Sequence, residues 1–394
     1  MRLPWGEMQR LTNPAQDSMM AGMQTYLIED HSTDDKRDGE GAVVARRDGS
    51  LFFVYGRFAG GGDASPAVLV SRVSTDGGGS WSEAKRFFDP EPGWINVMSV
   101  SLLRLHDDRL GALFLVKLDA NTCVPYWTTS TDDSVTWTPP QRIVSNGGYY
   151  VVNNDRLVQL ADGRLLVPYA FSTAVGNCSF PLSGCLISDD AGLTWRHGKQ
   201  EIAVEPEHYR LPAQVVADAT PALRLFGYRQ ICTQEPGVVE LADGRILMWA
   251  RSNGGYAYAS TSTDRGEHWL PYRVLCDTPM ANGPATIKRV PGTQRLVMLH
   301  NDRSGTPYGS PTFPWRTPLA VSVSDDEGAT WKAHAPLLGD DSHNYCYYSL
   351  CFFGGRSLVT TYESANATLP NGTPVRHNLR SLRVVVVDNA WWLD

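Results

Sequence analysis

One short pattern, Ser-x-Asp-x-Gly-x-Thr-Trp in near-exact copies, returns five times along this chain: Ser74–Trp81, Ser130–Trp137, Ser188–Trp195, Ser262–Trp269 and Ser324–Trp331. Asp and Gly favour a tight hairpin turn, in which the Asp side chain accepts local backbone N–H groups and the Trp returns to pack under the turn. The recurrent acids invite a catalytic reading. A structural one is preferred, because an active site needs one constellation of residues and not five copies of it. A second pattern surrounds the first: an apolar run, a turn rich in Asp and Gly, and another apolar run. The clearest copy is Glu235–Arg251, EPGVVELADGRILMWAR, and five stretches resemble it: Gly39–Arg57, Ser99–Val116, Asn154–Ala170, Gly283–His300 and Tyr347–Tyr362. Each reads as two half-buried strands joined by a hairpin turn.

Most copies are followed by a polar loop, a third strand and then the Ser-x-Asp turn. The expected unit is a four-stranded antiparallel sheet recurring at roughly 50 to 80 residues, near the periods of known blade repeats. Such a unit cannot bury both faces alone and must stack on its neighbours. Six of them in a ring predict an all-β six-bladed β-propeller, which limits exposed sheet edges. The sixth copy lacks the Ser-x-Asp turn and ends in the β-branched run Leu382–Asp394. That run and a strand near Met23–Ile28 are expected to complete one sheet and close the ring. No stretch sustains a helical period. With no linker or low-complexity segment, residues 1–394 are expected to form a single domain.

A net charge of −7 argues against nucleic acid or an anionic membrane as partner. No apolar run reaches the roughly 18 residues of a membrane span. The first residues, MRLPWGEMQRL, carry no apolar signal core, from which a cytoplasmic location is expected. The seven cysteines form no CxxC pair, so buried thiols are favoured over a zinc site or disulfide framework, with Cys178–Cys185 as the one pairing weighed. Histidines are scattered without metal-ligand spacing, and no phosphate-cradling glycine loop is present; no cofactor and no metal are expected.

Aligning the six hairpins on their turns places Glu40, Ser99, Asn154, Glu235, Gly283 and Tyr347 at equivalent strand ends. In a ring these ends converge, so two carboxylates and a tyrosine from different sheets would face one pocket. Alternation along the strand puts Tyr345 on the face of Tyr347 and sends Tyr348 into the sheet packing.

The Ser-x-Asp turn is the Asp-box. With the hairpin repeat, nearly the whole chain resembles the sialidase superfamily. That resemblance implies removal of a terminal α-linked sialic acid from a glycan, with retention of configuration. The anomeric carbon of such a sugar bears a carboxylate, so a neutral tyrosine assisted by a base suits it better than an anionic nucleophile; sialidases, with a tyrosine nucleophile, depart from two-carboxylate glycoside hydrolysis. By the resemblance Tyr347 is the nucleophile and Glu235 its base. Arg251, on the same hairpin as Glu235, and Arg316, ahead of the last Asp-box, hold the substrate carboxylate. Asp63 is the acid/base, on a loop whose Gly60, Gly61 and Gly62 would let it move over bound sugar.

The chain departs from the pattern in its first hairpin. Sialidases open it with Arg-Ile-Pro, whose arginine also grips the carboxylate, and the aligned residues are Gly39-Glu40-Gly41. Arg37, Arg57 or Arg156 would have to stand in, and Glu40 would contact a sugar hydroxyl or amine. A glycosidase for another acidic sugar, such as a 2-keto-3-deoxy acid or a uronic acid, is therefore an alternative. A propeller that binds glycans without cleaving them is another.

Overall fold

The computed structural model describes residues 22–173, 181–210, 231–308, 310, 312–339, 342–366 and 379–394. They form an all-β protein whose helical turns are two short 3-10 segments, Pro206–His208 and Asn389–Trp392. Each of the six aligned stretches forms an antiparallel pair, as alternating apolar residues around a turn require. In the clearest, Thr233–Glu240 pairs with Ile246–Ser252, which continues to Tyr258–Ser262 and a short outer strand, Arg273–Val274. The first hairpin group is joined to the second by one parallel pair, Ala67 with Asn96, and the second to the third by another, Tyr149 with Cys123.

The last sheet brings the two ends of the chain together. Met23–Glu29 pairs with Ser381–Asp388, which pairs with Arg356–Ala365 and then His343–Phe353. The physical reason is the valine run of Ser381–Asp388, buried from Val384 to Val387: a strand apolar on both faces lies away from water, so its backbone N–H and C=O groups need a strand on each edge. This strand and its neighbour Arg356–Ala365 pack sideways on the first sheet, where Leu358, Val384 and Val386 meet Leu51, Phe53 and Tyr55. Each of these aliphatic side chains contributes about 1.5–3 kcal/mol by leaving water. Further apolar clusters join the third sheet to the fourth, the fourth to the fifth and the fifth to the last.

All five Ser-x-Asp turns share one hydrogen-bond pattern. In the first, Ser80 N donates to Asp76 Oδ1 at 2.9 Å, Ser74 Oγ to the same oxygen at 2.8 Å, and Gly78 N to Ser74 Oγ at 2.8 Å. Asp132, Asp190, Asp264 and Asp326 repeat it. These carboxylates are occupied in their own turns and have no part in the pocket.

The innermost strands neighbour one another in space. Arg37–Ala45 lies against Asn96–Arg104 and His343–Phe353, and Thr286–Arg289 lies between Thr233–Glu240 and His343–Phe353. Between them sits the polar segment Asn154-Asp155-Arg156. Asn154 Nδ2 donates to Gly41 O at 2.8 Å. Asp155 accepts from Lys288 Nζ at 2.7 Å and from Leu350 N at 2.9 Å. Arg156 donates to Ala285 O at 2.7 Å and Thr286 Oγ1 at 3.2 Å. These innermost strands are thus braced against one another by hydrogen bonds. Desolvation draws the Arg156 pKa down to about 10, against the pull of Asp155 and Glu235.

Cys178 lies outside the described residues, and its weighed partner Cys185 is a buried thiol whose pKa desolvation raises. Among the described residues no helix is long and apolar enough to cross a membrane, and no cluster of His, Cys, Asp or Glu has the makings of a metal site.

Candidate active site

Four innermost strands share a backbone irregularity at one position. Their ladders skip two residues: after Gly39, after Met98, after Gln234 and after Cys346. The first skipped residue is in each case left-handed and not glycine: Glu40 at φ 52°, Ser99 at 56°, Glu235 at 51° and Tyr347 at 60°. Each is a β-bulge that turns one side chain out of the pleat. A left-handed L-residue costs roughly 1–2 kcal/mol, and such strain collects at functional sites. Four of the six aligned positions therefore share one backbone geometry. The third hairpin is displaced by one: Asp155, and not Asn154, is left-handed, at 58°. Gly283 has no bulge of this kind; a Cβ there would lie 3.3 Å from Arg316 Nε, so the glycine leaves room for that arginine.

Tyr347 Oη donates to Glu235 Oε1 at 3.0 Å. Arg251 Nε stands 3.0 Å from Glu235 Oε2, an ion pair without a directed hydrogen bond, so both atoms keep unused capacity although buried. The backbone oxygen of Asn282 holds two arginines, accepting from Arg316 Nη2 at 2.9 Å and Arg251 Nη1 at 3.3 Å. Arg251 Nη2 also donates to Gln234 Oε1 at 2.9 Å. The Arg316 guanidinium lies 5.6 Å from the centre of the Tyr347 ring. Desolvation first, and then Glu235, lifts the Tyr347 pKa well above that of a free phenol; Arg251 and Arg316 oppose this but do not outweigh it. The phenol is neutral at rest and points its proton at the carboxylate.

The bulge corrects one expectation. Tyr345 does not share the face of Tyr347: Tyr345 and Tyr348 are both in the apolar core, and only Tyr347 turns to the centre. An added residue reverses the alternation on its far side.

Across from this pair, Arg37 Nη1 donates to Asp63 Oδ1 at 2.6 Å and Nη2 to Glu40 Oε1 at 3.1 Å. Its guanidinium is 2% exposed and stacks 3.8 Å from the centre of Phe58. Glu40 Oε2 accepts from Ser99 Oγ at 2.7 Å. Tyr362 joins the halves, its ring edge-on to Tyr347 at 5.8 Å and 5.8 Å from the Arg37 guanidinium. Asp63 has a side chain 73% exposed. What desolvation it feels raises its pKa, but Arg37, with Lys117 and Arg251 beyond, outweighs that and holds the carboxyl below its usual range. Two hydrogen bonds hold its loop in this structure: Lys117 Nζ donates to Asp63 O at 3.0 Å and Asn96 Nδ2 to Ser65 O at 2.7 Å.

Tyr347, Glu235, Arg251, Arg316, Arg37, Glu40 and Asp63 thus surround one space. Arg37, at the start of the strand that lacks the expected arginine, places its guanidinium between Asp63 and Glu40. Arg57 does not reach the space; it binds Asp38 Oδ2 at 2.9 Å and Glu29 Oε1 at 2.6 Å. Arg156 does not either, because its terminal nitrogens are taken by the bracing contacts. The alignment marked Ser99 without assigning it a role, and Gln234 adjoins a named residue. The Asn282 carbonyl carries no side-chain signal at all.

The chain matches the BNR repeat-like domain over residues 58–356. It is 27% identical over 330 residues to the sialidase of Micromonospora viridifaciens, covering 74% of this chain and 44% of that one, so it spans less than half of that relative's length. Its fold resembles that of Trypanosoma rangeli sialidase with the inhibitor DANA: TM-score 0.65, 13% identity, 92% of this chain and 59% of that one. A protein of unknown function from Dyadobacter fermentans is similar at the same TM-score and 17% identity, over 93% of this chain and 99% of that one.

Proposed function

Because this chain belongs to the BNR repeat-like family of the sialidase superfamily, we propose that it is a six-bladed propeller acting as a retaining exo-glycosidase on a terminal α-linked sialic acid. The packing of the first sheet on the last supports the closed ring. The observation that carries the catalytic reading is the Tyr347–Glu235 hydrogen bond flanked by Arg251 and Arg316.

In this reading the three arginines hold the sugar carboxylate. Tyr347 Oη attacks the anomeric carbon and passes its proton to Glu235 Oε1. Asp63 protonates the leaving glycosidic oxygen as that bond breaks. Asp63 then takes a proton from water, whose oxygen displaces the tyrosine; the departing Tyr347 Oη recovers its proton from Glu235, and the sugar is released with its configuration retained. A general acid needs a proton, and Arg37 disfavours one on Asp63. A ligand carboxylate that takes Nη1 of Arg37 removes that pull, so substrate binding itself prepares the acid.

The test is release of fluorophore from an α-sialoside, together with mass spectrometry after 2,3-difluorosialic acid, which traps a glycosyl-enzyme. Wild type hydrolyses the sialoside and gains the sugar's mass on the peptide containing Tyr347. Tyr347→Phe retains binding and loses both. A fully active Tyr347→Phe refutes the nucleophile. Binding without any turnover by wild type leaves a glycan-binding propeller. Turnover of a different acidic sugar alone establishes the second reading, which Glu40 beside Arg37 favours.

A further inference from the structure

The bulge that turns Tyr347 inward also takes its backbone out of the ladder. Cys346 pairs with Tyr362 and Ser349 with Thr360, and the register passes over Tyr347 and Tyr348 between them. Three successive carbonyls across that gap accept from buried side chains instead. Thr361 Oγ1 lies 3.2 Å from Cys346 O, Asn154 Nδ2 donates to Tyr347 O at 3.3 Å, and Thr286 Oγ1 donates to Tyr348 O at 2.9 Å. Thr361 belongs to the neighbouring strand and divides its one proton with Tyr362 O, at 2.9 Å. Asn154 and Thr286 come from the third and fifth hairpins.

Neither of these two residues has a part in the proposed chemistry, and both are buried. The two hydrogens of the Asn154 amide serve two bulges at once, since Nδ2 also donates at 2.8 Å to the carbonyl of Gly41, the residue after left-handed Glu40. A rotated amide would set its oxygen against both carbonyls, so the nitrogen must face them. Thr286 is oriented in turn: its Oγ1 accepts from Arg156 Nη1 at 3.2 Å, which leaves its own proton for Tyr348 O. The third hairpin that carries Asn154 is itself fixed, because Asp155 N donates to Val100 O at 3.1 Å and Arg156 N to Ser101 Oγ at 2.8 Å.

Tyr347 is held at φ 60°, and a left-handed L-residue persists only where the surrounding contacts over-determine it. The direction of its carbonyl, together with φ, fixes the direction in which its side chain leaves the strand. We propose that Asn154 and Thr286 are positioning residues for Tyr347: they touch no ligand, and by fixing the two peptides that follow the nucleophile they keep its Oη against Glu235. This rests on the reading of Tyr347 as the nucleophile. With either donor lost, the strand relaxes towards extended backbone and carries the phenol off its line to Glu235 Oε1. A displacement of about 1 Å slows attack by up to about a hundredfold. Ligand affinity is kept, because the three arginines stand on other segments of the chain.

Three variants of the whole chain test this: Asn154→Leu, which keeps the bulk without the amide; Thr286→Val, which keeps the shape without the hydroxyl; and Thr286→Ser, which keeps the hydroxyl. One readout is the rate at which 2,3-difluorosialic acid labels Tyr347, set against the affinity for DANA. The other needs no ligand: fluorine NMR of protein carrying fluorotyrosine, in which the Tyr347 resonance is the one absent from Tyr347→Phe. Asn154→Leu and Thr286→Val are expected to label about ten- to a hundredfold more slowly, with DANA affinity kept and the Tyr347 resonance moved. Thr286→Ser labels and resonates as wild type does. A resonance unmoved in both donor-less variants overturns the proposal, as does a lower urea midpoint with unchanged labelling of the folded protein. Equal losses in Thr286→Ser and Thr286→Val overturn it too, since the hydroxyl is then not the cause. Should Asn154→Leu not fold, the two Thr286 variants decide. If wild type takes no label while the resonance moves in the variants, the positioning stands and the nucleophile reading alone falls.

Discussion

Gly39→Ala tests how tightly the first hairpin is fitted to the last. A Cβ at residue 39 would lie 2.4 Å from Tyr362 Cε1 and 2.5 Å from Cζ. Contact between carbons is optimal at about 3.5–4.0 Å, so the ring or the strand must move by about 1 Å. The ring has little freedom: Tyr362 is 1% exposed and set against Tyr347 and Arg37. Overpacking of this kind costs about 1–3 kcal/mol. The stiffer unfolded chain returns about 0.4–1 kcal/mol, so the net loss is about 1–2 kcal/mol, read as a lower urea midpoint at unchanged slope. Both groups against the ring belong to the proposed machinery, and a displacement of about 1 Å there lowers turnover by up to about a hundredfold. Combining Gly39→Ala with Tyr362→Ala should remove most of the added cost, since the clash goes with the ring. Stability within about 0.5 kcal/mol of wild type, the ordinary range for surface changes, would refute this account of the packing.

Asp155→Ala leaves Leu350 N–H without its acceptor and Lys288 with the Leu350 carbonyl but no counter-charge, and should cost about 2–3 kcal/mol in urea unfolding, discounted for a lysine 32% exposed. Asp155→Asn, which keeps an acceptor and tolerates the left-handed backbone, should lose clearly less; equal losses would mean that the carboxylate charge, not the hydrogen bonds, braces the centre. The turn carboxylates predict the acid limb of stability. Hydrogen bonds to Ser80 hold Asp76, and those to Thr136 hold Asp132, at about 2, against an ordinary 3.8. Since these folded-state values lie below the unfolded one, the stability they add is complete above about pH 4 and is lost as pH falls towards 2. Urea midpoints measured through that window should fall steeply in wild type and less so in Asp76→Asn.

Much of this protein was legible as written. Hairpins announce themselves by a period of two and by turn residues, signals confined to a few neighbouring positions, so the six strand pairs and the structural role of the Asp-box carboxylates could be read directly. Even the pairing of the chain ends followed from the sixth repeat lacking a piece. Resemblance to a family then singled out Tyr347, Glu235, Asp63, Arg251 and Arg316 as candidates; of these, Tyr347 contacts Glu235 and Arg316, and Glu235 contacts Arg251. The tertiary structure decided what depends on the path of the backbone. Four left-handed bulges turn Glu40, Ser99, Glu235 and Tyr347 inward and send Tyr345 into the core, because one added residue reverses alternation without changing composition. It also decided which arginines face the space: Arg37 does, whereas Arg57 binds acids outside it and Arg156 braces the interior. A long, flexible guanidinium takes its place from acceptors supplied by distant strands, and a sequence does not say where those acceptors will be.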